Sequence, residues 1–396
     1  MKFLFIVLLI ISSLTMDAQR RGNPRGWKKI DSLLKTIYSN GEPGVSIAIL
    51  QKGSPVFKYN YGLVNIDSKK KISSKTNFNI ASLTKQFTAA AILQLAQKNK
   101  LSLSDKISKF FPDLNKKVAE SVTIRQLLTH SSGIIDHYDY ANKDLRHAHN
   151  ADVFSAIKNI DSTYFSPGSS YRYSNTAYCL LALIVEKLSG MRYDAYMKRN
   201  IFQPLKMLQT TIWNEKEEIV EKATGYEYDK TTNSFKSSGP AENVFFSTEG
   251  DGGVYTCIDD YLKWFEALQS GKIISKTMVQ IARSPQVVVN KEKRLNYGYG
   301  WFIDESSSPL KVYHSGSNGG FRSFSFSIPD ENFLIVIFSN RTGVDLEKLV
   351  MEIYKILNPE SEPFTRIETF ISFQDCYSIF APCKKTNRFS ILFTKS

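Results

Sequence analysis

With 396 residues, 42% hydrophobic and 22% charged, the chain lies in the range of ordinary globular proteins, which excludes a disordered or fibrous polypeptide. Lysine and arginine exceed aspartate and glutamate by 51 − 38 = 13. The basic residues are scattered among acids, with no block beyond Lys69-Lys70-Lys71 and no RNA-type aromatic motif. Nucleic acid is therefore not an expected partner, and attraction to an anionic envelope or polymer is the expected use of the excess.

Lys2, the apolar run Phe3 to Ile11, Ser12-Ser13 and Ala18 before Gln19 have the order of a secretory signal, so residues 1–18 read as a signal peptide and the protein as exported, to the periplasm or the outside of the cell. The run is too short to span a bilayer, and no later stretch approaches about 20 apolar residues, so no integral membrane segment is expected after its removal. A helix is predicted over 26–38. A hairpin follows, with strands 44–50 and 56–59 across the turn residues Lys52-Gly53-Ser54-Pro55. Helical patterns then dominate, at 83–98, 123–128, 152–158, 175–189 and 259–269. Strands return at 312–314, 321–328 and 333–339, and a helix at 344–357 closes the pattern. The predicted fold is α/β in the α+β sense: an antiparallel sheet built from both chain ends, flanked by helices, with an all-helical lobe inserted over about 82–290. The domain is expected to cover 19–358, and residues 359–396 form a tail without a clear period.

Four cysteines and five histidines limit the remaining chemistry. Cys179 and Cys257 read as small buried hydrophobes, and Cys376 and Cys383 as a pair able to bridge in an oxidising compartment. His147-Ala148-His149 reads as a surface pair in a polar loop, with no thiols nearby and no H-E-x-x-H, so no zinc site is expected there, and a serine nucleophile with a lysine base requires neither a metal nor an organic cofactor.

The chemistry concentrates in three places. Ser82 opens the Ala-rich helix Leu83-Thr84-Lys85-Gln86-Phe87-Thr88-Ala89-Ala90-Ala91, and Lys85, three residues on, projects from the same face. A serine hydroxyl becomes a nucleophile when a base is held within hydrogen-bond reach, and a lysine serves when burial or nearby positive charge depresses its pKa. The same spacing recurs at Ser32, Ser68, Ser155 and Ser308, but only Ser82 opens an apolar helix. Tyr173-Ser174-Asn175 follows the Pro167-Gly168 turn and precedes a helix, at a corner where side chains point into a cleft. Tyr313-His314-Ser315-Gly316-Ser317 places a polar pair and then a glycine on a strand, where the missing side chain is expected to let a substrate backbone approach.

In this order Ser82-x-x-Lys85, Tyr173-x-Asn175 and His314-Ser315-Gly316 resemble the three active-site motifs of the serine β-lactamase and penicillin-binding-protein superfamily, in the branch of class C β-lactamases, D-alanyl-D-alanine carboxypeptidases, D-aminopeptidases and esterases. Leu127-Leu128-Thr129-His130-Ser131-Ser132-Gly133, Ile201 to Met207, Gly252 to Thr256 and Tyr297 to Trp301 add to the resemblance, which covers roughly residues 27–357. It implies a β-lactamase/transpeptidase-like fold and an acyl-enzyme mechanism. Ser82 would be the nucleophile, Lys85 and Tyr173 the acid–base pair, and Asn175 an orienting group. The N–H groups of Ser82 and Ser317 would form the oxyanion hole, and His314, Ser315 and Gly316 would line the substrate strand. Class C enzymes and the carboxypeptidases carry lysine where this chain has His314, a variant resembling the D-aminopeptidase-like and esterase-like members. A lysine there is a permanent charge for a carboxylate, whereas a histidine near neutral pH is often uncharged. The expected activity is thus hydrolysis of a D-amino-acid peptide, amide or ester, with a small peptide, ester or cell-wall-derived molecule as substrate. A β-lactamase or carboxypeptidase, and a catalytically silent envelope-binding protein, are the alternatives. The absence of any G-x-S-x-G disfavours a Ser-His-Asp hydrolase of the α/β type.

Overall fold

The computed structural model describes residues 24–140, 147–239, 244–362 and 364–366. The expected signal peptide, Cys376, Cys383 and the tail beyond 366 lie outside the described residues.

Runs of strand-forming residues bounded by turn formers produce eight strands: β1 Val45–Gln51, β2 Ser54–Tyr61, β3 Val287–Asn290, β4 Leu295–Tyr297, β5 Phe302–Asp304, β6 Lys311–Asn318, β7 Phe321–Ile328 and β8 Phe333–Ser339. They form one sheet in the order β3-β4-β5-β6-β7-β8-β1-β2, antiparallel throughout. The N-terminal hairpin joins the strands from the other end of the chain through β1 and β8, in the register Val45↔Ser339 to Leu50↔Leu334. Asn340 locks this junction, accepting from the Gly44 N–H at 2.7 Å and donating to the carbonyls of Leu63, Val64 and Thr224. Strands β3 to β5 were not among the expected elements, because three- and four-residue strands are too short to display a period.

Both faces of the sheet are covered, which is why β8 is buried at every residue. Helices α1 Pro24–Ile37 and, from the other chain end, Leu346–Leu357 cover the outer face, with Ile30 and Leu34 of the first and Leu349, Val350 and Ile353 of the second buried. The start of the tail also docks there: the Phe364 ring lies 4.7 Å from that of Phe326, and the Thr365 N–H donates to Asp304 at 2.6 Å. On the inner face Ala48, Leu50, Leu334, Val336 and Phe338 share one core with the inserted lobe.

The lobe is built around α2 Thr84–Gln97 and α3 Asn175–Ser189, with the one-turn α4 Glu249–Gly252 against both and α5 Ile258–Ser270 against the sheet. Every residue of α2 from Thr84 to Leu95 is buried, the polar Lys85, Gln86 and Thr88 along with the Ala- and Leu-rich remainder. The lobe is not purely helical. A hairpin, Tyr226–Asp229 with Ser234–Ser237, and a three-stranded sheet of Phe78–Asn79, Thr211–Ile212 and Val254–Thr256 interrupt it. These pairings join segments about 45 to 180 residues apart, or too short to show alternation, and so leave little local trace. Cys179 and Cys257 are free and buried.

Candidate active site

Ser82 stands on a single 3-10 turn, Ala81–Leu83, that runs directly into α2. Ala81 has φ +48°, a left-handed conformation that costs a residue with a Cβ about 1–3 kcal/mol. Four contacts over-determine the turn. Ile80 N–H donates to the Val254 carbonyl at 3.0 Å, Ala81 N–H to Asn79 Oδ1 at 2.8 Å, and Ser323 Oγ to the Ile80 carbonyl at 2.7 Å. The fourth is Gly316, where a Cβ would lie 2.4 Å from the Ile80 carbonyl oxygen and 3.1 Å from the Ala81 Cβ. The glycine expected to open the strand to substrate is thus required for a different reason: it lets the nucleophile's own turn press against β6.

Lys85, one turn into α2, is wholly buried. Its Nζ donates to Asn175 Oδ1 at 2.7 Å, to the Asp251 carbonyl at 2.9 Å and to Ser82 Oγ at 3.1 Å. The rings of Tyr173 and Tyr178 lie 4.9 and 5.5 Å from it. Burial lowers its pKa to about 8, against the opposing charges of Asp251 and Asp136. Removal of an ammonium from water costs several kcal/mol, so the three oxygen acceptors are what make the site tenable.

Asn175 is the first residue of α3, whose N-cap is Ser174, its hydroxyl accepting from Ala177 N–H at 3.2 Å. With Oδ1 taken by Lys85, the amide donates through Nδ2 to the Tyr138 hydroxyl at 2.6 Å. Tyr173 is held on the other side of the Ser174 corner, its ring 4.3 Å from that of His130. Burial pushes its phenol well above 10, and a hydrogen bond with Ser82 pulls the other way. His130 fastens this corner: its Nδ1 accepts from the Ser174 N–H at 3.1 Å and its carbonyl from the Arg172 N–H at 2.9 Å.

On the strand side, Ser315 and Ser317 are half-buried and His314 is wholly buried. His314 Nδ1 lies 2.6 Å from the Ser315 carbonyl, which can only accept, so Nδ1 carries the hydrogen and Nε2 accepts from the Tyr297 hydroxyl at 3.1 Å. Burial, and then the charge of Lys85, lowers its pKa to about 3. The imidazole is therefore neutral at physiological pH and lies behind the cleft wall, its ring 6.1 Å from that of Tyr173.

The fold thus brings Ser82, Lys85, Tyr173, Asn175 and the His314–Ser317 segment to one place. Asp251 and Tyr138 join them without having been assigned a catalytic or orienting role, the Asp136-His137-Tyr138 loop being expected only to supply a wall of the substrate pocket. Asp251 lies in the conspicuous run Gly250-Asp251-Gly252-Gly253, and Tyr138 in a loop whose position no local pattern reveals. The expected surface pair His147 and His149 differs: His149 Nδ1 lies 2.6 Å from Glu249 and Nε2 3.5 Å from Glu215, and its pKa rises to about 9, chiefly through the Glu249 hydrogen bond. The two acids come from segments about 65 to 100 residues away in sequence. No cluster of three His, Cys, Asp or Glu side chains suited to a metal occurs among the described residues.

A large antiparallel sheet with an inserted helical lobe and this serine–lysine–tyrosine arrangement at their junction defines a serine β-lactamase or penicillin-binding-protein type of structure. Comparison with known proteins agrees: the β-lactamase family profile matches residues 28–356, and the chain belongs to that family, whose members are generally serine hydrolases. It is 30% identical over 327 residues to penicillin-binding protein 4* of Bacillus subtilis, covering 79% of this chain and 72% of that protein. It is 31% identical over 345 residues to protein flp of Staphylococcus aureus, covering 85% of this chain and 66% of that protein. Among solved structures, an octameric penicillin-binding protein homologue from Pyrococcus abyssi superposes with a TM-score of 0.74 at 27% identity, over 85% of this chain and 79% of that one. A penicillin-binding protein from Bacillus halodurans gives 0.73 at 25% identity, over 83% and 98%.

Proposed function

We propose that the protein is an exported serine hydrolase that works through an acyl-enzyme on a D-amino-acid peptide or amide, or on an ester. One observation carries the reading: a wholly buried lysine amine, its pKa lowered to about 8, lies 3.1 Å from a half-buried serine hydroxyl at the mouth of a helix. At pH 7 about a tenth of such an amine is unprotonated, and at pH 8 about half. The neutral amine keeps two N–H bonds, for Asn175 Oδ1 and the Asp251 carbonyl, and turns its lone pair on Ser82. Ser82 Oγ then attacks the carbonyl carbon while its proton passes to Lys85. The oxyanion is met by the N–H groups of Ser82 and Ser317. Tyr173, protonated at neutral pH, relays a proton from Lys85 to the departing amine or alkoxide, and water reverses the steps to release the acid.

The relatives named as penicillin-binding proteins favour a peptide or cell-wall-derived substrate. A neutral, buried His314 favours esters and D-aminoacyl amides over a β-lactam or a D-alanyl terminus, whose carboxylate finds no cation at that position. Export rests on residues 1–18, and no helix among the described residues is long and apolar enough to cross a membrane.

A fluorophosphonate probe, or a slow substrate, should leave an adduct on the peptide containing Ser82, and Ser82→Ala should abolish turnover with an unchanged melting temperature. An adduct on Ser155 or Ser308 sinks the assignment. No adduct and no turnover of a p-nitrophenyl ester, a D-alanyl anilide, a depsipeptide or nitrocefin decides for a silent binding protein.

A further inference from the structure

We propose that the face of the helical lobe at the C-terminal end of α2, carrying Lys98, Lys100, Arg199, Lys272 and Lys276, is a docking surface for an anionic lipid bilayer. Three segments of the chain meet there. Gln94 Nε2 donates to the Asn200 carbonyl at 3.2 Å and to the Ile273 carbonyl at 3.1 Å, and Gln97 Oε1 accepts from the Ser275 N–H at 3.1 Å. The basic residues stand beside these bonded ones: Lys98 and Lys100 just after Gln97, Arg199 before Asn200, Lys272 before Ile273 and Lys276 after Ser275. All of them are exposed, as is Lys198 next to Arg199.

Little in the protein neutralises this charge. No aspartate or glutamate occurs in 68–104, 195–214 or 267–291. Of the acids nearest in sequence, Asp105 and Asp194 are held by Lys109 and Arg192 at 2.9 Å each, which leaves Glu266. Among the described residues none of Lys98, Lys100, Lys198, Arg199, Lys272 and Lys276 forms an ion pair. Helix dipoles explain only part of the cluster. The C-terminal end of α2 favours cations at Lys98 and Lys100, but Lys276 is the first residue of the helix Lys276–Ala282, where a cation is disfavoured. Like charges gathered from three segments repel one another, and an anion outside the protein relieves that repulsion.

The side chains present select the kind of anion. A single-stranded nucleic acid requires rings on which its bases stack, and the exposed aromatic side chains Tyr59, Tyr140 and Tyr164 all lie in other segments. Anionic headgroups require only a cluster of lysine and arginine on an exposed face, without a pocket. The position fits a surface as well. α2 is 14 residues long, about 20 Å, with the Ser82 turn at one end and the basic face at the other. Docking by this end leaves the reacting serine clear of the headgroups, on the side away from the bilayer.

The test is sedimentation of the full chain with vesicles of phosphatidylcholine alone and of phosphatidylcholine mixed with phosphatidylglycerol. The apolar run at 3–11 is common to every variant, so differences between variants report the basic face. Wild type should bind the anionic vesicles at least about tenfold more tightly than the neutral ones, and molar salt should erase the difference. Lys98→Gln/Arg199→Gln/Lys272→Gln should weaken binding to the anionic vesicles about a hundredfold at an unchanged melting temperature. Lys69→Gln/Lys71→Gln/Lys75→Gln removes the same charge from another exposed stretch and should weaken it less than about threefold. Equal losses in the two triple variants, or none in the first, would reduce the attraction to net charge and overturn the proposal. Wild-type binding that does not distinguish the two vesicles would overturn it too. Soluble polyphosphate bound through the same three residues, with no binding to anionic vesicles, would assign the face to a polymer and overturn the bilayer. None of these outcomes depends on whether Ser82 takes an adduct.

Discussion

The helix side and the strand side of the cleft each bury a nitrogen base, and they treat it in opposite ways. Lys85 is surrounded by oxygen: the Asn175 amide, the Asp251 carbonyl, the Ser82 hydroxyl and the Asp251 carboxylate beyond. His314 lies against the Ser315 carbonyl and the Tyr297 phenol, and the charge of Lys85 repels a proton from it. The same burial therefore leaves the lysine able to cycle between charged and neutral near physiological pH and holds the histidine neutral. Burial alone penalises both cations; the acceptors around each decide which can ionise.

The largest effect expected from breaking this contrast is at Lys85. Lys85→Arg should be nearly as damaging as Lys85→Ala, each costing a thousandfold or more in kcat, on the order of losing a member of a catalytic unit. Arginine stays protonated and cannot take the serine proton. Substantial activity in Lys85→Arg would reduce the residue to an electrostatic role. Tyr173→Phe should cost of the order of 100-fold, the scale of a positioned acid–base group, with little change in KM for an ester.

A smaller effect sharpens the comparison. Activity should rise with pH through about 8 as Lys85 loses its proton. The Asp251 charge holds that proton on, so Asp251→Asn should move this limb to lower pH by about one unit, raising the rate at pH 6 up to tenfold relative to the plateau. Tyr138, Tyr173, Tyr178, His130, His314, Cys179 and Asp136 are the other ionisable groups around the amine. A limb that stays in place in Asp251→Asn would show that its carboxylate does not act on Lys85.

The smallest effect on rate is expected at His314, which should contribute no inflection between pH 5 and 7. Its titration belongs to stability instead. His314 and His137 have pKa values of about 3 in the fold, His130 is well below 6.5, and each returns to about 6.5 when unfolded. Below 6.5 the unfolded chain binds the extra protons, so the stabilisation present above that pH is lost as the pH falls toward 3, by up to about 1.4 kcal/mol per pH unit for each histidine. A melting temperature that stays level from pH 7 to pH 4 would contradict the burial of these rings.

Much of this was legible in order along the chain. Long elements such as 175–189 and 333–339 are found at their expected bounds, because a 3.6-residue repeat, or a continuous apolar run between turn formers, marks a buried helix or strand within one stretch of chain. The Ser82–Lys85 spacing is a property of one helix and needs no other segment. Short strands such as Leu295–Tyr297 carry no repeat, and the His149 contacts join loops far apart in sequence, so neither could be read locally.

The sequence by itself determined the motif residues, their order, and the sheet-and-lobe plan, since those follow from local periodicity and from side-chain chemistry. Tertiary structure alone decided the electrical state of the site. Asn175 reaches Lys85 from 90 residues away and the Asp251 carbonyl from 166, while the depth of His314 depends on packing by Tyr173, Tyr297 and Phe302 around it. A pKa is set by the solvent removed and the charges and hydrogen-bond partners brought near, and both are properties of the assembled fold rather than of any stretch of chain.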